Sequence, residues 1–266
     1  MMTNNPFAVL AETIPSVVLQ GFVITMLALI IIGTVIQMIH HKNITYFFNN
    51  AKKAKLSATK KLSTGETVAV VTKTIVHDIA TTSELGAGKR RVAHVLGMYG
   101  TILFWIATIV LIFCYTSDES LTPNFWSMMW HVGAIMTCVG GYWFWLFLRV
   151  DVLSEAYPWY RIIKADLFVL ALLACATFGL AWSYTQSLNL ENRWDDKVFL
   201  TLYILSNVAL FGGVYWSKFA HMIYKPGAAI QKNLAEADGS RDNLPPLADA
   251  PKQFGLGIKR EQPKHY

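Results

Sequence analysis

Lys89-Arg90-Arg91-Val92-Ala93-His94-Val95-Leu96-Gly97-Met98-Tyr99-Gly100 opens a run that stays apolar as far as Tyr115, and this run decides the fold. Three adjacent cations stand before it. The 24 residues from Val92 to Tyr115 contain no Asp, Glu, Lys or Arg. About 20 such residues in a helix cross the hydrocarbon of a bilayer, and the cations mark the end that stays in water on the cytoplasmic side.

Working outward, four more blocks have the same character. The spacing predicts spans at about 16–39, 92–115, 124–150, 163–184 and 198–224. The fold class is therefore an all-α integral membrane protein, a bundle of five transmembrane helices. No Lys or Arg precedes the first span, and His40, His41 and Lys42 follow it. That order places the N-terminus outside and the C-terminus in the cytoplasm, and it describes a retained span rather than a cleaved leader. With this topology, of the 23 Lys and Arg only Arg193 and Lys197 fall outside. The positive charge then reads as a topology signal and a surface for anionic lipid. No aromatic-interleaved basic patch is present, so nucleic acid is excluded as a partner.

The polar parts divide accordingly. Residues 1–15 form the outer N-terminus, 43–91 a cytoplasmic insert and 227–266 a flexible cytoplasmic tail. Within the insert a lysine-rich stretch is followed by Ser63 and Glu66 at capping-box spacing. Val68, Val71, Ile75 and Ile79 then recur at helical intervals, which predicts a short amphipathic helix on the cytoplasmic surface, either an ordinary docked connector or a partner site. Pro226 and Gly227 are expected to end the last helix. Cys114, Cys138 and Cys175 all lie within apolar spans with no metal-binding spacing, and read as small packing residues. Gly97, Gly100, Gly133, Gly140, Gly141, Gly212 and Gly213 either let helices approach closely or leave room for a flat macrocycle.

No central acid or base interrupts the spans and no internal repeat is visible, which disfavours a pump or small transporter. Histidines are the chemistry-bearing residues. His94 lies about one turn into the second span and His221 near the inner end of the fifth, at matched depth. Two imidazoles so placed can ligate a haem iron axially from facing helices. His40, His41 and His77 are alternative ligands at the same side, and His265 lies in the tail. His131 sits roughly 12 Å into the third span from the outer side at ~1.5 Å per residue. It is open to three readings: a ligand of a second haem, a quinone-site residue, or a hydrogen bond between helices.

Arg90-Arg91-Val92-Ala93-His94 with Met98-Tyr99-Gly100, and Ser217-Lys218-Phe219-Ala220-His221 with Tyr224 and Pro226, resemble the two haem-bearing motifs of the respiratory nitrate reductase gamma-subunit superfamily. His77-Asp78-Ile79 is similar to a segment of the same group. The stand-alone five-span form looks most like the membrane anchors associated with adenylylsulfate reductase. The resemblance implies haem b held by His94 and His221, and quinone as a diffusible substrate. It also implies a cytoplasmic flavin and iron–sulfur partner, adenylylsulfate reductase or a related enzyme, at the bacterial cytoplasmic membrane. Nitrate reductase gamma subunits carry two histidines on each of two spans, whereas spans two and five supply one each here. The expected function is a membrane anchor and electron-transfer subunit linking that partner to the quinone pool. The alternative is a haem-free anchor. Nothing in the chain itself performs sulfur chemistry.

Overall fold

The computed structural model describes residues 2–40, 42–85, 88–116, 122–150, 157–188, 194–217, 219, 221–240, 253–254 and 258–259. His41, Asp151, Glu191, Arg193, Lys218 and His265 lie outside the described residues, as does the side chain of His221.

Helix α1 is Pro6–Ala11, α2 Ser16–His40, α3 Asn43–Leu56, α4 Thr64–Lys73 and α5 Lys89–Cys114. Helix α6 is Asn124–Trp143, α7 Leu167–Gln186, α8 Trp194–Gly212 and α9 His221–Ala237. A π-helical segment, Thr74–Ala80, continues α4, and another, Phe144–Leu148, continues α6. The tail adds one short antiparallel pair, β1 Gln253–Phe254 with β2 Ile258–Lys259.

Four helical stretches are long and apolar enough to cross a membrane: Ser16–His40, Lys89–Cys114, Asn124–Leu148 and Lys164–Gln186. Each lies within a few residues of an expected span. The fifth differs. Instead of one helix over 198–224, α8 stops at Gly212 after 19 residues, a turn follows, and α9 starts at His221. Two adjacent glycines weaken the helix here, each by about 1 kcal/mol relative to alanine. Trp216 and Ser217 both donate backbone N–H to Gly213 O, and Phe219 N donates to Ser217 Oγ at 3.2 Å. Gln37 Nε2 lies 3.4 Å from Tyr215 O, and the His40 and Tyr215 rings are 6.1 Å apart, at the far end of α2.

Glycine sets the closest helix contact. A Cβ on Gly100 would lie 2.6 Å from Thr137 N, one on Gly133 2.6 Å from Phe104 N, and one on Gly140 2.5 Å from Ala93 O. Helices α5 and α6 thus meet backbone to backbone, leaving no space between them for a flat macrocycle at these levels. Packing driven by small residues is how helices associate where lipid removes the hydrophobic incentive.

Beside this seam Phe104, Trp130, Trp182 and Tyr203 form an aromatic core, with Trp130 Nε1 donating to Thr108 Oγ1 at 3.0 Å. The expected outer N-terminus closes that end of the core. Asn5 caps α1 through Phe7 N, and Pro6 follows at the first helical position. Asn5 Nδ2 also donates to Tyr115 O at 2.8 Å and to Thr122 Oγ1 at 3.2 Å. Phe7 is then seated edge-on against Trp130 and Trp182, with ring centroids 5.8 and 5.7 Å away.

At the opposite, lysine-rich end, Arg149 is buried where the chain leaves α6. Its guanidinium donates to Pro158 O at 3.1 Å and Arg161 O at 2.6 Å, pairs with Asp166, and lies 4.1 Å over the Trp145 ring. Asp166 also accepts from Ile163 N at 2.9 Å. This pair fixes the α6–α7 connection. Removing one partner strands a buried charge, which typically costs about 3–5 kcal/mol. Arg149→Met is expected to lower the detergent melting temperature strongly. Arg149→Met with Asp166→Leu should recover part of that loss; equal losses in both variants would contradict the coupling.

Candidate functional site

The histidines named from the sequence stand on different elements: His40 on α2, His77 on the π-helical segment after α4, His94 on α5, His131 on α6 and His221 at the start of α9. His131 is fully buried in α6. Its Nδ1 is 2.7 Å from Ser127 O and its Nε2 2.8 Å from Ser183 Oγ on α7. A carbonyl oxygen can only accept, so Nδ1 carries the proton and Nε2 accepts from the serine hydroxyl. Both nitrogens are engaged and Trp130 covers the ring at 4.9 Å. This arrangement is an interhelical hydrogen bond that engages both ring nitrogens.

His94 lies on an exposed flank of α5, while Ala93 and Gly100 turn toward α6. His94 is therefore compatible with a macrocycle bound at the periphery of the bundle, and not with one enclosed by α5 and α6. Helix α5 packs chiefly on α6, whereas α9, which begins at His221, packs on α4, its π-helical extension and α3. Among the described residues no group of three or more His, Cys, Asp or Glu is placed to hold a metal ion.

Two other residues of the first resembling motif, Arg91 and Tyr99, have visible structural work. Arg91 Nε donates to Thr81 O at 2.8 Å, and Tyr99 OH donates to Ala80 O at 2.8 Å. Both satisfy carbonyls at the end of the surface helix, holding the insert against α5. Thr82, in the left-handed region at φ 49°, turns the chain there.

The lysine-rich end is built into an ordered platform. The capping box at α4 forms as the sequence predicts: Glu66 N donates to Ser63 Oγ at 3.3 Å, and Ser63 N to Glu66 Oε2 at 2.9 Å. Hydrogen bonds from Lys60 and from Ser63 hold the exposed Glu66 carboxyl down to about 2. Of the four stripe residues Val68 and Ile75 are exposed and Val71 and Ile79 half-buried, while Thr74 is buried. Asn233 of α9 explains the burial of Thr74. Its Nδ2 donates to Thr74 Oγ1 at 2.9 Å and to Asp78 Oδ2 at 2.6 Å, drawing that polar edge inward.

Helix α9 also departs from expectation by running through Pro226 and Gly227 to Ala237. Its packing, with Ala229 and Ala235 buried, outweighs the local preference for a stop. Thr59 N and Lys60 N both donate to Asp238 O at 3.0 Å, pinning its end. The segment 227–240 is thus part of the platform.

Asp78 is the centre of this platform. His77 Nδ1 donates to its Oδ1 at 2.9 Å and Ser83 Oγ donates to the same oxygen at 2.7 Å. The bond from His77, then that from Ser83, hold the Asp78 carboxyl down to about 2, with Asn233 helping against the cost of burial. Ser83 Oγ lies 3.0 Å from the same His77 nitrogen that serves Asp78. Serine and carboxylate therefore do not flank the ring as in a hydrolytic triad.

A cavity of about 210 Å³ lies between α1, α2, α5, α7 and α8. Phe22, Met26, Trp105, Ile112, Trp182 and Phe211 contribute to its wall, and among the described residues no histidine or charged residue does. It is larger than the ~150 Å³ apolar cavity that accepts a benzene.

No protein-family model, no curated protein and no solved structure matches the chain.

Because the Asp78 carboxyl is lowered relative to the unfolded chain, its contribution is fully present above about pH 4. It is lost as pH falls through about 2. Amide exchange in α9 is expected to stay protected from neutral pH to about pH 4 and to rise below that. Asp78→Asn should raise it several-fold already at pH 7. Unchanged protection in that variant would contradict the role given to Asp78.

Proposed function

We propose that this chain is a multi-pass membrane anchor for a soluble redox enzyme, docked on the platform of α3, α4, the following π-helical segment and α9. One observation carries this reading. The platform is held rigidly by polar bonds through Asn233 and Asp78, yet it leaves Val68, Ile75 and Val76 outside. Apolar side chains on an ordered, water-facing surface are a feature of partner sites. The topology of the sequence reading, with five crossings and this platform in the cytoplasm, belongs to the same proposal. The resemblance supplies the partner class: adenylylsulfate reductase or a related flavin and iron–sulfur enzyme at a bacterial cytoplasmic membrane.

A second part of the proposal is electron transfer to quinone. The apolar cavity beside α2 suits an isoprenoid chain entering from the bilayer, and this supports quinone as the diffusible substrate. Haem b on His94 and His221 is the electron carrier that the resemblance implies. When bound, such a group supplies one-electron relay. The residues of this chain would contribute the axial imidazoles, and the exposed flank at His94 requires the group to sit at the periphery of the bundle. A haem-free anchor keeps the docking surface without that relay.

The docking claim is tested with Val68→Asp combined with Ile75→Asp, both on the exposed side. The variant should remain folded in membranes while membrane-bound partner activity falls at least ~10-fold, a loss of about 1.4 kcal/mol or more in binding. Retention of the partner would overturn docking at this surface. A visible spectrum of the purified protein separates the two forms. A reduced b-type band abolished by His94→Ala and kept by His131→Ala marks the haem form. A colourless, folded protein marks the haem-free anchor.

A further inference from the structure

Helix α3 follows the end of α2 after two residues, the second of which is Lys42, in the left-handed conformation at φ 53°. If α2 crosses the bilayer, as the proposed function requires, the first turn of α3 lies at the membrane surface. The first two turns of α3 expose Ile44, Tyr46 and Phe48, at 40%, 66% and 64%. Further along, Leu56 is 82% exposed. Phe47 is the residue turned inward, within ordinary contact of the position a Gly227 Cβ would take on α9.

The charge here is of one sign. Between Lys42 and Leu62 the chain carries Lys42, Lys52, Lys53, Lys55, Lys60 and Lys61 and no acidic residue. Lys60 is committed to Glu66 at 2.5 Å. Lys52, Lys53 and Lys55 lie exposed on α3 itself, beyond the aromatic turn. Aromatic and aliphatic side chains backed by lysines are the composition of a helix resting in the headgroup region of an anionic leaflet. Because α3 begins two residues after α2, its lysines lie within reach of the lipid phosphates at the end of that span, and these supply the complementary charge.

We infer that α3 is an interfacial helix binding anionic phospholipid headgroups through Lys52, Lys53 and Lys55, with Ile44 and Phe48, which share a face one turn apart, set among the lipid chains. The docking surface for a soluble partner is then confined to α4, the π-helical segment and α9. The alternative role for Lys53 and Lys55 is local, since cations favour the C-terminal end of a helix. That role is independent of lipid charge, which makes the two separable.

The full-length protein in nanodiscs of phosphatidylcholine, with or without phosphatidylglycerol, gives the test by amide exchange over residues 43–56. Phosphatidylglycerol should slow exchange by about fivefold for each engaged lysine, and high salt should reverse it. Lys52→Gln with Lys53→Gln and Lys55→Gln should abolish the lipid dependence. Equal exchange in the two lipids for the parent protein would overturn the inference, as would a triple variant that keeps the difference. Release of the chain from native membranes by alkaline washing would instead refute the membrane reading on which the inference rests.

Discussion

The bundle depends on the backbone contact between α5 and α6. Gly100, Gly133 and Gly140 place three successive levels of the two helices too close for any side chain. Thr101 and Thr137 continue the seam, with hydroxyls 3.4 Å apart and each also bonded to a carbonyl one turn earlier in its own helix. Once this pair is fixed, Trp130 and Phe104 are brought to a ring separation of 5.0 Å. The remaining elements assemble around them. Trp182 stacks on Tyr203, with centroids 5.7 Å apart, to join α7 to α8. Phe7 closes the end. Helix α2 is the most loosely held span and borders the cavity on its inner side.

Much of this was legible in the sequence for a simple reason. Length and the absence of charge specify a crossing helix almost independently of neighbours, so four spans fell within a few residues of expectation. The capping box at Ser63 and Glu66 is likewise a local device. What could not be read depends on partners distant in the chain. The break after Gly212 comes where Tyr215 reaches the end of α2, and α9 persists through Pro226 because Asn233 finds Asp78. The burial of Thr74 has the same origin. Two features left signals that a closer reading could use: Asn5 before Pro6 is a cap followed by a first-turn proline, and Arg149 has its acidic partner in Asp166 just beyond a short connection.

The histidines show the limit of positional reasoning. Matched depth is necessary for a shared ligand, but it does not decide which way a side chain faces. His131 faces the interior and is consumed by Ser127 and Ser183. His94 faces outward while its neighbour Ala93 lies in the α5–α6 seam. Residues that the family resemblance associates with a haem motif, Arg91 and Tyr99, here tie the surface insert to the bundle. The same segment can therefore serve an anchor with or without a redox group, and the platform rather than the histidines carries the functional proposal.

The central claim is that the close approach of α5 and α6 organises the molecule. Thermal unfolding of Gly100→Ala and Gly97→Ala, measured in one detergent at one scan rate, tests it most directly. A Cβ at Gly97 meets no neighbouring atom within 4 Å, whereas one at Gly100 meets backbone on α6. Gly100→Ala should destabilise by about 1–3 kcal/mol, and Gly97→Ala should be neutral or stabilising by up to ~1 kcal/mol. Equal melting temperatures for the two variants would contradict the account.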